Sequence, residues 1–92
     1  MKVIIREAVY DDLERIHSWI ARDRPRTAGS VIGRILESAE RLGELPYIGH
    51  VGRTRGTYEW VVTGLPYILV YKIDADNNEV QIIAVFHGAR DL

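Results

Sequence analysis

The sequence has no cysteine, which removes disulfide frameworks and thiolate sites for zinc or iron–sulfur clusters. It has no long apolar run either. Its uninterrupted hydrophobic stretches are a few residues each, too short to cross a bilayer. The opening Met1-Lys2-Val3-Ile4-Ile5-Arg6 is too short for the apolar core of a signal peptide, so a cytoplasmic location is expected. Lysine is scarce: Lys2 and Lys72 stand beside ten arginines, and these 12 cations meet 13 acids for a net charge of −1. Without a positive excess, the simplest nucleic-acid-binding reading loses its footing. The arginine bias favours planar, bidentate or stacked contacts over diffuse attraction. What remains is 92 residues, 47% hydrophobic and 27% charged, enough for one globular domain spanning 1–92.

Val3 and Ile5 alternate with Lys2, Ile4 and Arg6, which predicts a short first strand. From about Ala8 the period changes. Val9, Leu13, Ile16 and Ile20, spaced 4, 3 and 4 apart, share one helix face. Arg24-Pro25 breaks that helix, and Pro25 suits the first turn of a second. There Ala28, Ile32, Ile35, Ala39 and Leu42 form the stripe, with Gly43 as the expected terminator. Gly29 and Gly33 are costly inside a helix, and close approach of another backbone would compensate. Residues 43–56 read as a Gly-rich loop carrying His50, Arg53 and Arg55. Strand signals follow at Thr57–Thr63, Pro66–Ile73 and Glu79–Phe86, with turn chemistry over Asp74-Ala75-Asp76-Asn77-Asn78. The expected fold is α+β in the order β-α-α-β-β-β, an antiparallel sheet with an α-helical hairpin on one face. The other face is the expected working surface, with Glu59 and Lys72 marking it.

Three stretches carry a resemblance: LGELPYIGHVGRTRG over Leu42–Gly56, YEWVVTGLPYILVY over Tyr58–Tyr71, and IIAVFHGARDL over Ile82–Leu92. Together with the element order and the length, they resemble the RelE/ParE superfamily of bacterial type II toxins, and the ParE-like branch in particular. Proteins of that kind are also called plasmid stabilisation proteins. The resemblance implies a toxin neutralised by a cognate ParD-like antitoxin. Such a partner wraps the toxin with a C-terminal segment and reaches operator DNA through its own ribbon-helix-helix domain. ParE-like members inhibit DNA gyrase and block replication, whereas RelE-like members are ribosome-dependent mRNA endoribonucleases. No cofactor, metal or membrane is implied.

Residue chemistry weighs these branches. Metal-free RNA cleavage needs a base, a cation for the phosphorane and an acid for the leaving oxygen. Where the nuclease branch commonly carries an arginine, the matching position here is Ile68, and the net charge of −1 suits rRNA poorly. A protein-binding toxin is therefore expected, with ribonuclease action or an inactive antitoxin-binding relative as alternatives. The expected target contacts are Arg53, Arg55, Tyr58, Glu59, His87 and Arg90. In the ribonuclease alternative, Glu59, His87 and Arg90 would be catalytic. Each has a plainer reading as a core aromatic, a solvated arginine or a strand-end histidine. Trp19, Val31 and Leu36 lie off the helix stripes and, with Tyr71, form the expected antitoxin-binding set. His17, His50 and His87 have no HxxxH or HxH spacing, which argues against a metal site.

Overall fold

The computed structural model describes residues 1–90; the last two residues of the IIAVFHGARDL stretch lie outside the described residues. Its elements are β1 (Lys2–Ile5), α1 (Glu7–Ala21), α2 (Pro25–Glu44), β2 (His50–Val51), β3 (Tyr58–Val61), β4 (Tyr67–Asp74) and β5 (Glu79–His87). The helical hairpin covers one face of a five-stranded sheet of order β1-β5-β4-β3-β2. The α+β class and the order of the elements match the expectation. The sheet is mixed rather than wholly antiparallel: β1 runs parallel to β5, with Val3 opposite Val80 and Ile5 opposite Ile82. The expected loop 43–56 also supplies β2, two residues that pair His50 with Glu59 and Val51 with Tyr58.

The period of the apolar residues explains the packing. Val9, Leu13 and Ile16 of α1 are buried against Ala28, Val31, Ile35, Ala39 and Leu42 of α2 and against the sheet. Val31 takes the place expected for Ile32, which is half-buried. From the sheet come Val62, Tyr67, Leu69, Tyr71, Val80, Ile82 and Val85. Each fully buried aliphatic side chain contributes about 1.5–3 kcal/mol relative to exposure.

Two expectations for α2 are corrected. No atom lies within 4 Å of a Cβ built on Gly29 or Gly33, so neither marks a close approach. Gly43 does, and it lies inside the helix rather than ending it. A Cβ there would sit 2.6 Å from Met1 O and 2.8 Å from Val3 Cγ2, and the Met1 amino group donates to Gly43 O at 2.7 Å. The first strand packs directly on the end of α2, and only glycine leaves room.

Beyond Ile5, β1 gives way to α1 while β5 continues. Arg6 N donates to Ile82 O at 3.1 Å, and the Asp12 carboxylate accepts from Val85 N at 3.0 Å. A helix side chain thus takes over from the missing strand. The Asp74–Asn78 turn holds as expected: Asn77 donates from backbone and side chain to Asp74, and Asn78 has φ 54. Among the described residues no helix is long and apolar enough to cross a membrane.

Candidate functional site

Strand alternation sorts the candidates onto two faces. Tyr67, Leu69 and Tyr71 of β4 point to the helices, and Tyr58 and Trp60, opposite Tyr71 and Leu69, point the same way. The open face carries Glu59, Ile68, Val70 and Lys72, with Phe86 of β5 opposite Ile68. Glu59 and Lys72 do mark this face, but only Lys72 is exposed. Glu59 is 6% exposed.

A clasp from the 52–56 loop covers Glu59. Arg53 N donates to Glu59 Oε2 at 3.0 Å, and its guanidinium reaches the two carboxylate oxygens at 3.4 Å each. The same guanidinium lies 4.8 Å from the Phe86 ring centroid. His50, on β2, puts Nε2 3.9 Å from Glu59 Oε1. The backbone hydrogen bond from Arg53 is the largest influence on Glu59 and holds its carboxyl below the ordinary value of 4.5. Burial is the next influence and opposes it, while the Arg53 side chain and the His50 charge add smaller lowering effects. Glu59 is thus an ionised acceptor with committed lone pairs, a poor proton donor.

Tyr71 anchors the loop that precedes β2. Its hydroxyl donates to Pro46 O at 2.7 Å and accepts from Gly49 N at 3.1 Å. A Cβ on Gly49 would overlap that hydroxyl, so the close approach requires glycine. Burial raises the Tyr71 phenol above 10.0, partly offset by the Gly49 amide, which would favour the phenolate. The Tyr71 ring stacks on Tyr58 at 5.6 Å, and Tyr58 meets Tyr47 edge-on at 6.2 Å. Thr57 Oγ1 closes the next turn by donating to Thr54 O at 2.6 Å.

The remaining candidates sit elsewhere. His87 neighbours Phe86 on β5 and so points to the opposite face from the Arg53 clasp. Its ring packs edge-on against Tyr67 at 5.5 Å, and its Nδ1 accepts from Arg90 N at 2.9 Å and Ala89 N at 3.2 Å. Arg90 stacks over Trp19 at 4.6 Å, with Arg22 on the same indole at 5.3 Å. Arg55 is exposed on its loop. The six expected target contacts therefore divide between two faces and do not form one cluster. Of the expected antitoxin set, Trp19 is half-exposed and Leu36 half-buried. Val31 and Tyr71 are 7% and 0% exposed and belong to the core, so neither offers surface to a partner. Phe86 and Asp12 carry no local mark of their contacts in the sequence beyond a strand end and a helix's first turns. The signal for Phe86 was its β5 register, which only pairing with Ile68 makes visible.

The chain matches the family described as the ParE toxin of the type II toxin-antitoxin system parDE, over residues 3–92. It belongs to the ParE toxin family. A candidate toxin of Sinorhizobium fredii, Y4kP, is 37% identical over 76 residues, which cover 83% of this chain and 76% of that protein. In fold, the ParE-family chain is similar to one from the chromosomal ParDE system of P. aeruginosa. The TM-score is 0.84 at 17% identity, with 95% of each chain covered. It also resembles a chain of the RelBE2 toxin–antitoxin complex of Mycobacterium tuberculosis (TM-score 0.68, 24% identity, 94% and 95% covered). The isolated RelE toxin of E. coli is similar as well (0.66, 17%, 98% and 86%). This is a toxin of the RelE/ParE superfamily.

Proposed function

We propose that this chain poisons its host by binding DNA gyrase, without cutting RNA, and is kept silent by a ParD-like antitoxin. Replication is the process blocked. The antitoxin wraps the toxin with a C-terminal segment and brings the pair to operator DNA through a ribbon-helix-helix domain. The carrying observation is the state of Glu59, the buried acid among the described residues. Its carboxylate is spent on Arg53, it is held ionised, and His87 points from the other face. An acid–base pair across one scissile phosphate has no place to assemble there. Ile68 adds an aliphatic side chain where a nuclease would want a cation, and Phe86 with the Arg53 guanidinium forms a surface suited to protein contact. Of the expected target contacts, Arg53, Arg55 and Arg90 face solvent, and Lys72 adds an exposed cation on the open face.

The decisive assay is DNA supercoiling by purified gyrase with antitoxin-free toxin. Inhibition that the antitoxin reverses is expected. Full supercoiling at several-fold molar excess of toxin refutes the gyrase assignment. A parallel incubation with translating ribosomes separates the alternative: discrete cuts in mRNA would make the chain a RelE-like nuclease. Normal growth on induction without antitoxin would make it an inactive antitoxin-binding relative.

A further inference from the structure

The net charge of −1 hides a lopsided distribution. Residues 15–36 hold five arginines, Arg15, Arg22, Arg24, Arg26 and Arg34, against one acid, Asp23. Two of the five are already engaged. Arg15 pairs with Asp12 at 2.8 Å, and Arg34 donates to Thr63 O at 2.6 Å. Arg22, Arg24 and Arg26 remain, at alternate positions around the turn between α1 and α2. All three are exposed, and among the described residues none makes an ion pair.

The turn that carries them is tight. Asp23 N and Arg24 N both donate to Ile20 O, at 3.2 and 2.9 Å, and Pro25 opens α2. The backbone is thus ordered before any ligand arrives, and a ligand there has only side chains to order. Trp19 orders part of those as well. Its indole is 50% exposed, with the Arg22 guanidinium 5.3 Å from the ring centroid and that of Arg90 at 4.6 Å. Such stacking occupies the flat face of a guanidinium and leaves its in-plane N–H donors for a phosphate, which takes them as two parallel hydrogen bonds.

The ligand is a polyanion rather than a single acid. Three clustered cations with one acid among them repel each other, and they are best neutralised by closely and regularly spaced negative charge. A DNA duplex carries one such charge per roughly 1.7 Å of its axis. We propose that this end of the helical hairpin grips the phosphodiester backbone of duplex DNA, without reading its sequence. The choice of DNA among polyanions rests on the gyrase reading above, since a toxin seated on gyrase works beside a duplex. The charge and the stacking stand without it.

The probe is a short, fluorescently labelled DNA duplex of arbitrary sequence, titrated with antitoxin-free toxin and followed by anisotropy. Three phosphate contacts give log affinity against log salt a slope of about −3, so raising salt from about 50 to about 200 mM should weaken binding roughly fortyfold. Arg22→Glu combined with Arg24→Glu and Arg26→Glu should abolish binding, and Asp23→Asn should tighten it a few-fold. These four side chains are exposed, so the variants leave the core untouched. A second readout needs no charge change. Trp60→Phe leaves Trp19 as the sole tryptophan, and its emission should shift when the duplex binds. No binding at about 50 mM salt, full binding by the triple variant, or binding that leaves Trp19 emission unchanged overturns the proposal. Tighter binding of polyglutamate makes the patch a protein contact, and tighter binding of an RNA duplex makes DNA the wrong polymer; either also overturns it. The duplex assay contains no gyrase, so its failure leaves supercoiling inhibition intact, and absence of that inhibition leaves duplex binding standing.

Discussion

Replacing Tyr71 by Phe tests how the loop before β2 is held. The substitution keeps the ring, its stacking on Tyr58 and the core volume, and deletes only the hydroxyl. That hydroxyl bridges Pro46 O and Gly49 N at 2.7 and 3.1 Å in a partly buried setting. One net hydrogen bond is worth about 0.5–1.5 kcal/mol, and a stranded partner costs about 1–3 kcal/mol. Water reaches part of this loop, so the loss should be roughly 2 kcal/mol near neutral pH. For a domain of this size that lowers the thermal midpoint by roughly 8–16 °C. The pH dependence sharpens the test. Burial raises the folded phenol above its ordinary 10.0, so the native state holds this proton more tightly than the unfolded chain. The advantage is whole below the unfolded value and is lost as pH rises from there through the folded one. Urea melts of both proteins from about pH 8 to about pH 11 should therefore converge at the alkaline end. Other tyrosines are common to the two proteins and cancel. A difference below about 0.5 kcal/mol, or one that stays constant through the alkaline range, would refute the bridge.

Glu59→Gln should cost about 1–2 kcal/mol at neutral pH by weakening the Arg53 clasp. The folded carboxyl titrates below 4.5, so its stabilisation is present above that value and disappears as pH falls through the folded one. Urea melts of the two proteins should coincide in strong acid. Asp12→Ala leaves the Val85 amide without its acceptor, and native-state hydrogen exchange should show that amide opening about tenfold faster or more. Gly43→Ala forces a methyl against Met1 O and Val3 and should destabilise by about 1–3 kcal/mol. Gly33→Ala, in open space on the same helix, should stabilise by about 0.5–1 kcal/mol; thermal melts that rank the two the other way would undo the packing account.

Much of this architecture was legible because periodicity is a local property. The 3.6-residue stripe of Val9, Leu13 and Ile16 announces its burial directly, and alternation puts Tyr67, Leu69 and Tyr71 on one face without saying that Tyr71 lies in the core rather than at a partner surface. What stayed hidden depends on distant partners. Nothing local says that β1 lies parallel to β5, or that Val31 rather than Ile32 faces the core, since both choices satisfy a helical face. Gly43 reads as a helix stop until Met1 is seen beside it. Glu59 was placed on the correct face by polarity, yet its burial comes from a loop arginine six residues earlier, whose backbone and side chain both close over it. Arg90 N bonds the His87 ring, yet the two side chains pack on different aromatics, Tyr67 and Trp19, because the strand ends between them.

The pairing of the first strand with the last also has a consequence in time. β5 is the central ladder between β1 and β4, so β1, made first, waits for residues 79–82 before it has a partner. At typical synthesis rates of about 5–20 residues per second, the sheet can close only several seconds after β1 is made, once β5 has followed it. Until then the hairpin has only the β3–β4 pair to pack on, and the Asp12 bond to Val85 cannot form. Completion of the sheet therefore waits on β5, and a chain cut short before residue 79 leaves β1 without its partner strand.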